Sequence, residues 1–183
     1  MDREPADANA NDADPKHRLS EPAIRWRVIR DGRESPKKCS VLALRGLPGV
    51  EIRSWVRDEP VDAGGLTLLH PDGAPLSRAD HGRPVLLLDS SWRHLPVLLR
   101  DLRGDFVLRS LPGGIETAYP RRSKNSEDPA LGLASVEALY VASVILGDRR
   151  DDFLAAYRNA AEFLDRNAGR LAGPLAAAAG AEL

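Results

Sequence analysis

The sequence has one cysteine, Cys39, among its 183 residues. A single cysteine excludes an internal disulfide and a zinc site built from several cysteines. Long hydrophobic runs are also missing, since none approaches the roughly 20 apolar residues that a membrane-spanning helix needs. Residues 1–5 (MDREP) have no apolar signal core. We therefore expect a cytoplasmic protein with no membrane partner.

Neither sign of charge is in excess, because the formal net charge is −1. The molecule as a whole is thus not strongly attracted to nucleic acid. Basic residues are nevertheless concentrated in two places, residues 25–45 and residues 121–124. Local basic patches can bind phosphate backbones even at a net charge near zero. The alternative interpretation is a set of solvated surface arginines.

Several motifs that carry well-known chemistry are absent. The sequence has neither a Gly-x-Gly-x-x-Gly dinucleotide turn nor a phosphate-binding Gly-Lys-Ser/Thr loop. Ser90 and Ser91 do not stand in the Gly-x-Ser-x-Gly turn of serine hydrolases. The histidines show no metal-ligand spacing, so we predict no metal.

The composition, 43% hydrophobic and 29% charged, is that of a globular protein with one sizeable domain or two small lobes. Residues 1–21 hold too few apolar side chains to offset the entropy of ordering, which predicts a disordered tail. We expect an N-terminal α/β lobe over 22–84, a second folded region over 85–170 and a flexible alanine-rich tail over 171–183.

Hydrophobic periodicity predicts an alternation of short strands and helices. Strands are expected at 24–29, 50–56, 66–69, 85–88 and 106–108. Helices or helical turns are expected at 41–44, 77–80, 92–100, 136–146 and 151–168. The third strand should end at His70, the helix 136–146 should be capped by Ser135, and the last helix should bury Phe153, Tyr157, Ala160 and Leu164.

The most informative stretch is residues 85–92 (VLLLDSSW), where a buried apolar strand ends abruptly in polar groups and an aromatic ring. Ligands of open α/β sheets bind at the carboxyl ends of the strands. The stretch therefore places a carboxylate, two hydroxyls and Trp92 where a ligand would lie. The alternative is a strand followed by a helix cap, with Trp92 in the core.

Five separated motifs resemble, in order and spacing, those of one family. They are residues 35–40 (SPKKCS), 69–80 (LHP with LSRAD), 88–92 (LDSSW), 109–112 (RSLP) and 133–139 (LASVEAL). Together they resemble the SAM-dependent aminocarboxypropyltransferases of small-subunit ribosomal RNA, whose fold is SPOUT-like. The resemblance covers residues 25–167.

The resemblance implies an α/β fold with a trefoil-knotted, SAM-binding C-terminal half over 85–170. Knots are otherwise nearly absent from proteins. It implies an adenine slot made by Leu69, Pro71, Trp92, Leu111 and Leu133. The ribose would meet the backbone near Leu88, the amino-acid tail would be held near Ser40 and Ser135, and Ala138 would pack close to the ligand. Free N–H groups at a helix start favour a carboxylate, which agrees with the place of Ser135.

The implied reaction transfers the 3-amino-3-carboxypropyl group of SAM, the donor substrate, to a ring nitrogen of a uridine-type base. Asp89 is the candidate base for the nitrogen's proton, although it could instead cap a backbone turn. The implied partner is small-subunit rRNA or a pre-ribosome, bound by a monomer. The candidate RNA-binding residues are Lys37, Lys38, Arg109, Arg121, Arg122 and Lys124.

Two stretches depart from the family pattern. Ser90 replaces a usual cysteine, a nearly isosteric change. Residues 118–123 (AYPRRS) replace the usual Ala-Asn-Pro-Val-Asn-Tyr, which raises the possibility of a different RNA acceptor. Two other functions stay open: a SPOUT-type RNA methyltransferase, and a non-catalytic RNA-binding factor in ribosome assembly.

Overall fold

A computed structural model describes residues 23–33, 39–120 and 132–172. Its strands are β1 (Trp26–Arg30), β2 (Val50–Ser54), β3 (Val61–Asp62), β4 (Thr67–Pro75), β5 (Val85–Asp89), β6 (Leu102–Arg103) and β7 (Val107–Ser110). Its α-helices are α1 (Leu95–Arg100), α2 (Ser135–Ile145) and α3 (Ala160–Ala172). Short 3₁₀ helices cover Ser40–Leu44, Arg78–Gly82 and Asp151–Leu154.

Five strands form one sheet in the order β2-β1-β5-β4-β7, and every pairing in it is parallel. The strands of 22–84 and of 85–170 therefore share one sheet. β5 lies in the middle, and all of its residues are buried. A strand covered on both faces needs a continuous apolar run, which is why 85–88 was predictable. Because the strands are parallel, their carboxyl ends meet at one edge.

A hydrophobic cluster covers each face of the sheet. Val85 and Leu87 of β5 belong to the larger cluster, which packs under α2, whereas Leu86 and Leu88 belong to the smaller cluster with α1. In the larger cluster the rings of Trp26 and Phe153 meet edge to face at 5.2 Å. This alternation fixes the register of β5, and the register determines where Asp89 and the residues after it lie.

The third strand does not end at His70, as the sequence predicts. β4 continues to Pro75, and both Leu69 and Ala74 are in register with Arg109 of β7. Residues 70–73 therefore bulge out of the ladder before pairing resumes. The prediction was wrong because pairing with β7, rather than local turn propensity, decides where β4 ends.

The predicted helix 151–168 is two elements, the 3₁₀ helix Asp151–Leu154 and then α3. Phe153 and Tyr157 are buried as predicted, whereas Ala160 and Leu164 are only partly buried against the larger cluster. The fully packed positions of α3 are ones that the sequence did not predict: Phe163, Asn167 and Leu171. The break allows Phe153 to pack on Trp26 while the Tyr157 hydroxyl reaches Glu137. α3 also includes residues 171–172, which were expected in the tail. Across the described ranges, no helix is long and apolar enough to cross a membrane.

Candidate functional site

A cavity of about 1060 Å³ opens at the carboxyl edge of the parallel sheet. Its lining includes the bulged part of β4, the end of β5 with the residues that follow it, and the segment after β7. The start of α2 and the second half of α3 complete it. This is the place where open α/β sheets bind ligands.

Every residue that the sequence analysis proposed for SAM lines this cavity, although these residues come from five separate segments of the sequence. These lining residues are Ser40, Leu69, Pro71, Leu88, Trp92, Leu111, Leu133, Ser135 and Ala138. Asp89 lines the same cavity. The residues therefore belong to one site in space.

One part of the cavity is apolar. Leu69, Leu111 and Leu133 are partly buried side chains that pack against the larger core cluster. They also line the cavity, together with Pro71 and Trp92. Their incomplete burial distinguishes them from plain core residues, because each has apolar surface left for a planar ligand.

The polar part of the cavity centres on the buried carboxylate of Asp89. Ser135 Oγ donates a hydrogen bond to Asp89 Oδ1 at 2.5 Å, and Cys39 Sγ donates to Oδ2 at 3.4 Å. Arg30 Nε in turn donates to Cys39 Sγ at 3.1 Å. Burial, followed by the charge of Asp89, raises the pKa of the Cys39 thiol above 9.0. Cys39 therefore remains a neutral donor to the carboxylate.

The first turn of α2 faces this carboxylate. Ser135 is the first helical residue rather than the predicted cap, and Ala134 holds the cap position. The prediction fails because the Ser135 hydroxyl is used by Asp89, a residue 46 positions away in the sequence. Ser40 Oγ accepts a hydrogen bond from the Val136 amide at 3.4 Å. Backbone amides at this helix start favour an anionic group.

Sequence reasoning missed part of the site, because it assigned no element and no site residue to residues 112–117. Residues 112–117 and Tyr119 line the cavity, and so do Arg166 and Arg170 of α3. The one available signal was the spacing of the two arginines, since residues four apart share a helix face.

Of the six predicted RNA contacts, only Arg109 lies among the described residues. Arg109 Nε pairs with the buried Asp80 Oδ1 at 2.8 Å, and Arg109 is not a lining residue of the cavity. Lys37, Lys38, Arg121, Arg122 and Lys124 lie outside the described residues. Among the described residues, no group of three or more His, Cys, Asp or Glu side chains could hold a metal ion.

Comparison with solved structures identifies a relative of this fold. The structure described as that of the SAM-dependent rRNA:acp-transferase Tsr3 from Vulcanisaeta distributa matches with a TM-score of 0.65. The match covers 84% of each chain. The chain shares the fold of Tsr3.

The likeness to Tsr3 is one of structure, because sequence identity over the match is 23%. No protein-family model and no curated protein matches the sequence. The Tsr3 comparison agrees with the predicted α/β class and with the parallel sheet seen here.

Proposed function

We propose that this protein transfers the 3-amino-3-carboxypropyl group from SAM to a uridine-type base in ribosomal RNA. The main support is that all the residues proposed for SAM line one cavity, in a fold shared with an rRNA acp-transferase. The order of the motifs in the sequence and the arrangement of their residues in space therefore support the same function, although sequence identity to that transferase is low.

The cavity suits SAM in its size and in the arrangement of its apolar and polar lining residues. Its volume of about 1060 Å³ is just above the roughly 300–1,000 Å³ range of small-molecule sites. The adenine would occupy the apolar slot between Leu69, Trp92 and Leu111. The ribose would lie along the backbone at Leu88. The carboxylate of the amino-acid tail would face the amides at the start of α2, near Ser40 and Ser135.

This pose decides which bond of the sulfonium reacts. A nucleophilic ring nitrogen attacks the γ-carbon of the amino-acid tail, the bond between that carbon and sulfur breaks, and methylthioadenosine leaves. The protein contributes mainly by positioning, since the sulfonium already activates its adjacent carbons. The ring nitrogen also loses a proton, and we assign its acceptance to Asp89. The two donors that contact this carboxylate leave further lone pairs available.

RNA would approach through the mouth of the cavity. Arg170 lines it, and guanidinium groups pair well with phosphate oxygens. Arg166 lines it as well, but its guanidinium already contacts the Thr117 carbonyl and Glu162. The six basic residues predicted from the sequence remain proposed RNA contacts. We further propose that small-subunit rRNA is the acceptor, that the protein acts as a cytoplasmic monomer, and that residues 85–170 form the SPOUT-like trefoil knot.

Isotope transfer tests this function. The protein is incubated with RNA from its source and with SAM labelled either in the carboxyl carbon or in the methyl group. We expect only the carboxyl label to enter RNA. Transfer of the methyl label would identify a methyltransferase instead, and RNA binding without any calorimetric SAM binding would identify a non-catalytic factor. Trp92→Ala removes a ring from the proposed slot without removing a charge, and at limiting SAM it should transfer the carboxyl label more slowly than the wild type.

A further inference from the structure

Residues 116–118, which follow β7 and run beside the cavity, have their backbone held by side chains of α2, of α3 and of Asn159, which immediately precedes α3. Asn167 binds both backbone groups of Glu116: its Oδ1 accepts from the amide and its Nδ2 donates to the carbonyl, each at 2.8 Å. Asn159 Nδ2 donates to the Ala118 carbonyl at 3.0 Å, and Arg166 Nη1 donates to the Thr117 carbonyl at 2.6 Å. Side-chain partners therefore replace the ladder hydrogen bonds that a strand would have.

Glu137 of α2 provides the other side of this support, and its side chain is fully buried. Its Oε1 accepts from the Ala118 amide and from Tyr157 Oη, both at 2.9 Å. Its Oε2 accepts from Thr117 Oγ1 at 2.7 Å and from the Ala134 amide at 2.8 Å. A buried carboxylate is stable only when such donors replace water. Each oxygen faces one backbone amide, which can only donate, so both oxygens at this position have to accept.

The same carboxylate joins two parts of the cavity. Thr117 and Ala134 both line it, and Ala134 immediately precedes Ser135 at the proposed binding point of the amino-acid tail. One buried side chain thus fixes the distance between the start of α2 and residues 117–118. Asn167, which is 1% exposed, fixes the same segment from α3.

We propose that Glu137 and Asn167 are positioning residues that hold residues 116–118 in one conformation before any ligand binds, so that the cavity has a preformed wall. The role of this wall in binding SAM depends on the proposed function. Preorganisation raises affinity because the ligand does not have to order the segment itself.

Glu137→Gln is the sharpest test, because glutamine has almost the same shape. Each carboxylate oxygen accepts from one backbone amide, that of Ala118 or that of Ala134. Either orientation of the glutamine amide therefore turns its NH₂ group toward a backbone N–H, and no rotation avoids the conflict. Glu59→Gln makes the same chemical change at an exposed position and serves as the matched control.

Hydrogen exchange of the segment 113–120 is measured with and without saturating SAM, and SAM affinity is measured by calorimetry. For Glu137→Gln we expect exchange at 116–118 to be at least tenfold faster, with β5 unchanged. We also expect SAM to bind about tenfold more weakly and to restore protection when saturating. Glu59→Gln should match the wild type in both measurements.

Unchanged exchange at 116–118, or equal acceleration in β5, would overturn the proposal, and so would a loosened wall with unaltered SAM affinity. If Glu137→Gln does not fold, Asn167→Ala provides the same test, since it removes both bonds to Glu116. If the wild-type protein does not bind SAM, the proposed function fails. Ligand-free exchange still decides whether the wall is preformed.

Discussion

Replacing Gly73 with alanine tests how the bulge in β4 shapes the apolar slot. Gly73 is the last residue of the bulge, and it lies against the backbone of Arg109 in β7. A Cβ atom built on Gly73 would lie 2.6 Å from Arg109 Cα. Such a separation is far inside ordinary van der Waals contact. The atoms in its way are backbone, so no change of rotamer relieves the clash.

The strands must therefore move apart at the point where both approach the cavity. Overpacking of this kind costs about 1–3 kcal/mol. For a chain of this size, each kcal/mol lowers the melting temperature by about 2–4 °C, so we expect a decrease of about 2–12 °C. Leu69 and Pro71 lie before Gly73, and Leu111 follows β7, so the slot should widen and bind SAM more weakly.

Gly82→Ala is the matched control, because a Cβ at Gly82 meets nothing within 4 Å. Thermal denaturation and calorimetry with SAM are compared for both variants and the wild type. We expect a loss of stability and of SAM affinity only for Gly73→Ala. A Gly73→Ala protein with wild-type melting temperature and affinity would refute the close packing of β4 on β7.

Three further predictions concern single side chains. Trp92→Ala should weaken SAM binding at least several-fold in calorimetry, and an unchanged dissociation constant would remove Trp92 from the binding slot. Asp89→Asn should lower the rate of group transfer by about 10²-fold or more, as for loss of a general base, while SAM affinity changes little; a normal rate would exclude Asp89 as the base. Burial and then the charge of Glu137 raise the pKa of Tyr157 above 10.0, so the unfolded chain releases this proton first and stability falls as pH rises above that value. In urea denaturation, the free energy of unfolding should fall less between pH 9 and pH 11 for Tyr157→Phe than for the wild type. Equal decreases in the two proteins would contradict the raised pKa of Tyr157.

The residues of the candidate slot were predictable from the sequence because short motifs carried them. Leu69, Trp92 and Ser135 each stand in a motif of the resembling family, and the structure places all three at one cavity. Their roles were less predictable. Ser135 was expected to cap α2, whereas its hydroxyl binds Asp89. A hydroxyl at a helix start has several possible partners, and only the fold decides which is near.

The wall formed by residues 116–118 was not predictable, because its interactions are distant in sequence. Glu116 binds Asn167 across 51 residues, and Thr117 binds Glu137 across 20. Neither pair produces a periodic pattern. In a helix sequence, Glu137 looks like a surface charge, and only the donors around it explain its complete burial.

The sequence by itself determined the central buried strand β5, the α/β class and the polar ending at Asp89 and Trp92. These features follow from local hydrophobicity and from the chemistry of neighbouring residues, which act over a few positions. Only the tertiary structure decided the bulge of β4, the break before α3 and the burial of Glu137. Each of these depends on packing and hydrogen bonding between segments far apart in the chain, whose energies exist only once the sheet and helices have come together.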